Sequence, residues 1–325
     1  MTGTRLWGCA AGMGVLVTLI VLPQGLKPYG IALLSRWAVM AIAAVGLNIT
    51  LGYAGQISLA QAAFLGIGAY TTAILTTNGF PFWSALLLAG GLGFGIGWVL
   101  GYPALRVQHH YLAFVTLAFM TMAYLIFRNE AWLTGGVFGI NRIPRPSLLG
   151  WSTSKPLTYY YLCLTALAVV LAGTWWMIRS PWGRAFVALR ENPRRAMSLG
   201  VDIRAYTLLA FAFGAALGCV AGVFFAPLVE FVDPSAFTLA DSLGLLLMVV
   251  VGGSGYFFGP LLGAMVAVLL PEWLRMAQGL YLIYYAVFVM VLMVFCPSGI
   301  LGLFDKILRS LNRSAPLAVR KEARR

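Results

Sequence analysis

The sequence predicts an all-α polytopic membrane protein. About ten transmembrane helices are expected, with Gly-broken or re-entrant segments and one short cytoplasmic helix. Three observations carry this. First, 61% of the 325 residues are apolar and only 10% charged, against ~45–50% and ~25% in a soluble domain. A globule of this size could not hide so much apolar surface, which excludes an ordinary water-soluble enzyme. Second, the apolar residues come in long blocks with the charges between them, as a hydrocarbon layer of ~30 Å demands. Third, the net charge of +13 is concentrated. Segment 179–204 holds six Arg against Glu191 and Asp202, and the tail from 305 holds seven basic residues against Asp305 and Glu322. Nine of the thirteen net charges therefore flank apolar spans. That is a positive-inside pattern, not a nucleic-acid footprint.

The spans read as 6–23, 31–51, 57–75, 82–101, 111–127, 158–178, 206–226, 241–255, 257–271 and 280–296. The first follows a single Arg and could pass for a signal peptide. No small-residue cleavage site follows it, only Pro23-Gln24-Gly25-Leu26-Lys27, so a first transmembrane helix is expected. Segments 241–255 and 257–271 are short and separated by glycines, as two brief crossings or one re-entrant hairpin would be. With the N-terminus inside, inner segments carry fifteen Lys and Arg and outer segments six, with Arg36 inside the second span. Both termini are therefore expected on the cytoplasmic side. Residues 1–303 form the membrane domain and 304–325 a basic cytoplasmic tail.

Glycine recurs every fourth residue in Gly93-Gly97-Gly101, Gly214-Gly218-Gly222 and Gly259-Gly263. Such rows predict close helix approach. Trp7, Trp83, Trp132, Trp151 and Trp273 lie near span ends, where an aromatic belt belongs.

The chemistry-bearing residues are sparse. No Lys follows a Gly, so the sequence has no G-x-x-x-x-G-K-[ST] phosphate loop. His109 and His110 are adjacent, a poor arrangement for joint metal ligation, and read as solvated or interfacial. Cys9, Cys163, Cys219 and Cys296 are isolated and read as small core residues. No carboxylate pair lies inside a span, and Arg36 reads as snorkelling to the interface. No catalytic residue, metal site or cofactor is expected in this chain.

The polar exception is Asn48-Ile-Thr-Leu-Gly-Tyr-Ala-Gly-Gln-Ile-Ser-Leu-Ala-Gln61. Gly52 and Gly55 are expected to break a helix. Ser58 and Gln61 have capping-box spacing at the start of the next one. The free N–H groups of a helix start suit an anion such as a carboxylate. A second glycine-broken element, with Gly252 and Gly253, lies in the other half of the chain. Interrupted spans in two halves point to a transport path, and the candidate path residues are Asn48, Gly52, Gly55, Gln56, Ser58, Gln61, Gly252 and Gly253. A capped turn between two spans is the plain alternative.

In the basic loop, Asn192 suits an N-cap, Pro193 the first helical position and Gly200 the C′ position. A short helix outside the membrane is expected over Asn192–Leu199, with Ala196, Met197 and Leu199 offering an apolar patch to a partner.

At these residues the chain resembles the LivM-type permease subunits of ATP-driven branched-chain amino acid importers. Asn48 to Tyr70 resembles the family's N-I-x-x-G-Y-x-G-Q-x-S-L-G-x-x-A-F-x-G-I-G-A-Y, departing at Ala60. Tyr111-Leu-Ala-Phe-Val-Thr-Leu, Thr134-Gly-Gly with Gly139-Ile, Asp233-Pro-Ser-Ala-Phe, Gly252-Gly-Ser-Gly with Gly259-Pro and Pro297-Ser-Gly-Ile-Leu-Gly-Leu-Phe follow in family order. His109-His110 replace a Gly-containing turn. Ser180-Pro-Trp-Gly-Arg-Ala, Arg190-Glu-Asn and Leu199-Gly are similar to the family's coupling motif. The resemblance therefore implies that Gly183, Arg184, Arg190, Glu191, Asn192, Ala196, Leu199 and Gly200 couple the chain to an ATPase.

The resemblance also implies an inner-membrane importer that assembles from a second, LivH-like permease, two ATPase subunits holding ATP and Mg, and a periplasmic substrate-binding protein. Urea and amide importers use similar permeases, so the substrate stays open. A self-contained ion- or proton-coupled transporter is the reading from another class, but it lacks intramembrane carboxylates. An intramembrane enzyme lacks a nucleophile–base or metal set.

Overall fold

The computed structural model describes residues 18–104, 109–148, 151–153, 155–274, 287, 290–291 and 299–313. The expected first span lies mostly outside these residues, as do nearly all of the last, the tail beyond 313, Cys9, Cys296 and the side chains of His109 and His110.

The described chain is helical. In order, the long helices are α1 (Pro28–Leu47), α2 (Gln61–Thr77), α3 (Phe82–Ala104), α4 (His109–Asn129) and α5 (Pro156–Arg179). Two short helices follow, α6 (Pro181–Glu191) and α7 (Pro193–Ser198). Then come α8 (Ile203–Val229), α9 (Leu239–Gly252), α10 (Gly259–Leu274) and α11 (Gly299–Arg313). Among the described residues, six helical stretches are long and apolar enough to cross a bilayer. α2 and α10, at 17 and 16 residues, are shorter. The described residues thus support a polytopic all-α membrane protein, and α9 and α10 form a hairpin of two short helices.

Position in the bundle follows burial. In the most apolar 18 residues of α8, and of α1 with its extension to Tyr53, 72% are buried, but only 28% in α3 and α5. α8 and α1 are therefore central, and the outer helices turn Leu87, Val99, Val169 and Trp176 outward. α8 is the hub, lying along α1, α2 and α3.

The glycine rows explain how α8 does this. Cβ atoms added at Gly93, Gly97 and Gly101 of α3 would run into Cys219, Ala215 and Leu208 of α8. On the other side of α8, Gly214 meets Gly46 of α1 backbone to backbone, and Gly222 sits against the Leu65 carbonyl and the Ala69 amide of α2. Gly252, Gly259 and Gly263 bring α9 and α10 equally close. Without a hydrophobic force between helices in lipid, this close packing supplies the adhesion.

Two ends of the bundle can be told apart. At one, β1 (Ile140–Asn141) pairs antiparallel with β2 (Phe231–Val232), and Arg145 Nε lies 2.8 Å from Glu230 Oε1. The T-G-G-x-x-G-I motif belongs here as structure: Gly135, Gly136 and Gly139 take positive φ, and a Cβ at Gly139 would meet the Val232 carbonyl. At the other end Gly52, Arg190, Gly255 and Gly299 converge, Gly299 packing on Gly253.

Overpacking costs ~1–3 kcal/mol or more. Gly222→Leu is therefore expected to abolish the monodisperse detergent-solubilised species. Gly95→Leu, on the same stretch of chain as the α3 row but with nothing within 4 Å of its added Cβ, should leave the melting temperature almost unchanged. Size-exclusion chromatography after stepwise heating reads both.

Candidate functional site

The polar segment after α1 does not simply break. α1 runs on into a π-helix, Asn48–Tyr53, whose wider turns leave carbonyls misaligned with the following amides. Ala54 N–H still donates to Ile49 O at 3.1 Å and Gln56 N–H to Thr50 O at 2.8 Å. Then the chain turns, with Gly55 at φ +71°, and α2 begins at Gln61.

The expected capping box is not formed. Gln61 is the first residue of α2, not the third after its cap, and the cap position Ala60 has no side-chain bond. The Gln61 amide instead donates to Ala43 O of α1 at 2.9 Å and Gly214 O of α8 at 3.3 Å. Remote hydroxyls take over the capping. Leu59 N–H donates to Thr116 Oγ1 of α4 at 3.0 Å, and Ala62 N–H to Ser242 Oγ of α9 at 3.0 Å. Among the described residues, Ser58 Oγ accepts only from Ala60 N–H, at 3.4 Å. The Leu59 and Ala62 amides are thereby engaged by protein hydroxyls. Gln61 itself staples three helices.

Asn48 and the second glycine-broken element meet. Gly255 N–H donates to Asn48 Oδ1 at 2.9 Å, and Asn48 Nδ2 donates to Tyr256 O at 3.1 Å. Gly52 fits only because it has no side chain: an added Cβ would strike Asn48 and the Gly255 amide. Gly252 and Gly253 lie one turn earlier, at the end of α9, where Gly253 has φ +117°. The two broken elements therefore form one junction.

Arg190 closes it from the loop side. Its Nη1 donates to Gly52 O. Cβ atoms at Gly55 and Gly255 would run into its side chain, Cγ for the first and Nη1 for the second. Arg190 thus threads a slot lined by three glycines from both broken elements. Gln56 is buried beside this junction. Its Nε2 reaches Thr207 O at 3.5 Å, and its Oε1 has no hydrogen-bond partner among the described residues.

The basic loop is two helices, and the first was not anticipated. Ser180 caps α6 by accepting from Trp182 N–H at 3.2 Å, with Pro181 at the first helical position. Gly183 lets α6 fold back on the Ile178 carbonyl. Phe186 and Leu189 are buried beneath α6. The Ser-Pro pair and this apolar spacing were available signals. α7 has the expected ends: Asn192 Oδ1 accepts from Arg195 N–H at 3.1 Å, and Gly200 follows at φ +82°. Its expected apolar patch divides, however. Ala196 is 2% exposed and packs under its own loop, whereas Met197 and Leu199 are 62% and 82% exposed. Arg184, Glu191, Arg194 and Arg195 are exposed as well.

Removing a charge-assisted bond to a buried carbonyl costs ~1.5–3 kcal/mol. Arg190→Gln should therefore lower the melting temperature of the purified protein, and Asn48→Leu should lower it at least as much. Because both act on one junction, the double variant should fall short of the sum of the two. Full additivity in thermal melts would show two unconnected sites.

A model of the family described as "Branched-chain amino acid transport system / permease component" matches residues 30–297. The chain is 34% identical over 298 residues to the Escherichia coli (strain K12) high-affinity branched-chain amino acid transport system permease protein LivM, covering 84% of this chain and 70% of that protein. With the Salmonella typhimurium (strain LT2) LivM it shares 32% over 313 residues, 89% and 74% of the two chains. A probable LivM of Methanocaldococcus jannaschii is 28% identical over 184 residues, 56% and 52% of the two chains. No solved structure matches the chain.

Proposed function

The chain belongs to the family of branched-chain amino acid transport permeases, and from that premise we propose that it is a permease subunit of an ATP-driven importer of branched-chain amino acids. It lies in the inner membrane as a multi-pass protein, with both termini on the cytoplasmic side. Its partners are a second permease of the LivH type, two ATPase subunits that hold ATP and Mg, and a periplasmic substrate-binding protein.

The observation that carries this reading is the junction. A permease without a nucleotide site must receive work through a contact. The only cationic side chain inserted between the two broken helices, among the described residues, is Arg190, and it stands on the last turn of α6. α6 and α7 lie rigidly together because Asn192 ends one and caps the other. A partner that pushes on the exposed face of α7, at Met197 and Leu199, moves Arg190. Arg190 then shifts the π-turn and the α9–α10 turn together, and the path opens to alternate sides. Gly183, Gly200 and Ala196 support this lever by packing and turning. Asn48 and Gln56 are its polar groups nearest the path.

Leu199→Glu is expected to leave insertion and permease pairing intact. Burying an unpaired charge against an ATPase costs several kcal/mol, which at ~1.4 kcal/mol per decade lowers ATPase affinity by orders of magnitude. Co-purification and substrate-stimulated ATP hydrolysis read this, and full association with wild-type leucine uptake would remove α7 from the interface. Ala196→Glu should instead disrupt the loop itself.

Orientation has its own check. A single Cys at Val137, in a background lacking the native thiols, should react with an impermeant reagent added outside, and a Cys at Ser198 should not. The reverse pattern would invert the topology.

A further inference from the structure

We infer that α11 lies in the plane of the membrane surface and binds acidic phospholipid there. This is a contact with the bilayer itself, apart from the importer's protein partners.

α11 begins at a membrane boundary. Only Pro297 and Ser298 separate the expected last span, 280–296, from Gly299. Gly299 has φ +74°, a left-handed conformation through which no right-handed helix runs, so α11 starts afresh there. It is 15 residues long, or ~22 Å at ~1.5 Å per residue, too short for a hydrocarbon core of ~30 Å. Its start is fixed to the bundle. A Cβ at Gly299 would meet Gly253 and the Val250 carbonyl, and Gly302, one turn on, is buried. The glycine side of the first turn therefore faces α9.

The apolar side faces elsewhere. Ile300, Leu303, Phe304, Ile307, Leu308 and Leu311 stand at i, i+3, i+4, i+7, i+8 and i+11, the spacing of one helix face. Asp305, Lys306, Arg309 and Arg313 fall on the opposite arc. Leu303 and Phe304 are 40% and 60% exposed, although Gly302 beside them is buried. The helix thus touches the bundle by its glycines and turns its apolar stripe away.

Place and charge decide what covers that stripe. The spans beside it end among headgroups, and the polar arc holds three cations against Asp305. From 305 onward the sequence holds seven basic and two acidic residues. A short basic amphipathic helix at the end of a span matches an acidic leaflet. The stripe enters the acyl boundary, and the cations lie at headgroup level.

The test puts a bimane probe on Leu303→Cys in the full-length chain, in a background lacking the native thiols. The protein is purified with the subunits it retains and held in nanodiscs containing doxyl-labelled phosphatidylcholine, which quenches a probe at the acyl boundary. Quenching should be strong in discs rich in phosphatidylglycerol and weaker in phosphatidylcholine alone, and high salt should erase the difference. Phe304→Asn should reduce quenching in every disc. Lys306→Gln, Arg309→Gln and Arg313→Gln together should erase the lipid difference. They should also lower the preference of the detergent-solubilised protein for phosphatidylglycerol over phosphatidylcholine, read by native mass spectrometry, about tenfold. Size-exclusion profiles check that the variants are folded, and the lipid and salt comparisons need no change beyond the probe site. No quenching in either disc would give the stripe to a protein cover. Quenching indifferent to phosphatidylglycerol, to salt and to the three Gln would remove acidic lipid as the ligand. Either result overturns the proposal.

Discussion

A buried backbone polar group that leaves a helix must find a protein partner, and one end of the bundle is arranged around two such breaks. The π-helix after α1 releases the Gly52 carbonyl, and the turn after α9 releases the Gly255 amide and the Tyr256 carbonyl. Each is answered by a side chain. Asn48 takes the amide with its oxygen and the carbonyl with its nitrogen. Arg190 takes the Gly52 carbonyl. Buried and unsatisfied, each group would cost about 1–3 kcal/mol. The π-turn lies 138 residues from Arg190 and 207 from the Gly255 amide that Asn48 takes, so the three segments are held together by necessity. Glycine at 52, 55 and 255 is what makes room for the answering side chains.

Close approach of helices imposes the second requirement. Around α8 the contact atoms are carbonyls, amides and Cβ atoms of small residues, because glycine rows on α3 and on α8 itself remove the side chains between them. The bundle then has polar backbone near its centre, and polar side chains can use it. Gln61 bonds carbonyls of both α1 and α8 where Gly46 and Gly214 touch. Trp37 Nε1 donates to Leu261 O at 3.1 Å, tying α1 to α10. Such bonds average only about 0.6–2 kcal/mol each in membranes, so the packing carries the adhesion and the polar bonds fix which face meets which.

What could be read from the sequence was local. Span positions follow from runs of apolar residues, and eight of ten expected spans have a helix among the described residues. The ends of α7 follow from Asn192, Pro193 and Gly200, all within one short segment. The glycine rows announced tight packing because their period is that of one helix face. What failed was non-local. Ser58 and Gln61 have the spacing of a capping box, but the caps of α2 come from Thr116 and Ser242, 57 and 180 residues away from the amides they bond. Nothing in a run of neighbours encodes a hydroxyl arriving from another helix. Ala196 was grouped with Met197 and Leu199 because all three are apolar. Only the packing of α7 against its own loop separates the buried one from the exposed two.

α9 connects these features mechanically. Its first turn carries Asp241, which forms a capping box with Thr238, and its last residue, Gly252, lies against the α10 backbone just before the junction. Between them Ser242 holds the start of α2 through the Ala62 amide. A helix of 14 residues is ~21 Å long at ~1.5 Å per residue and does not shorten under load. Movement of the turn at Gly253–Gly255 must therefore reach the start of α9 as a translation or tilt of the whole helix. The same bond to Ala62 passes it to α2. Arg190 spends its charge on the Gly52 carbonyl, which ties the junction to α6.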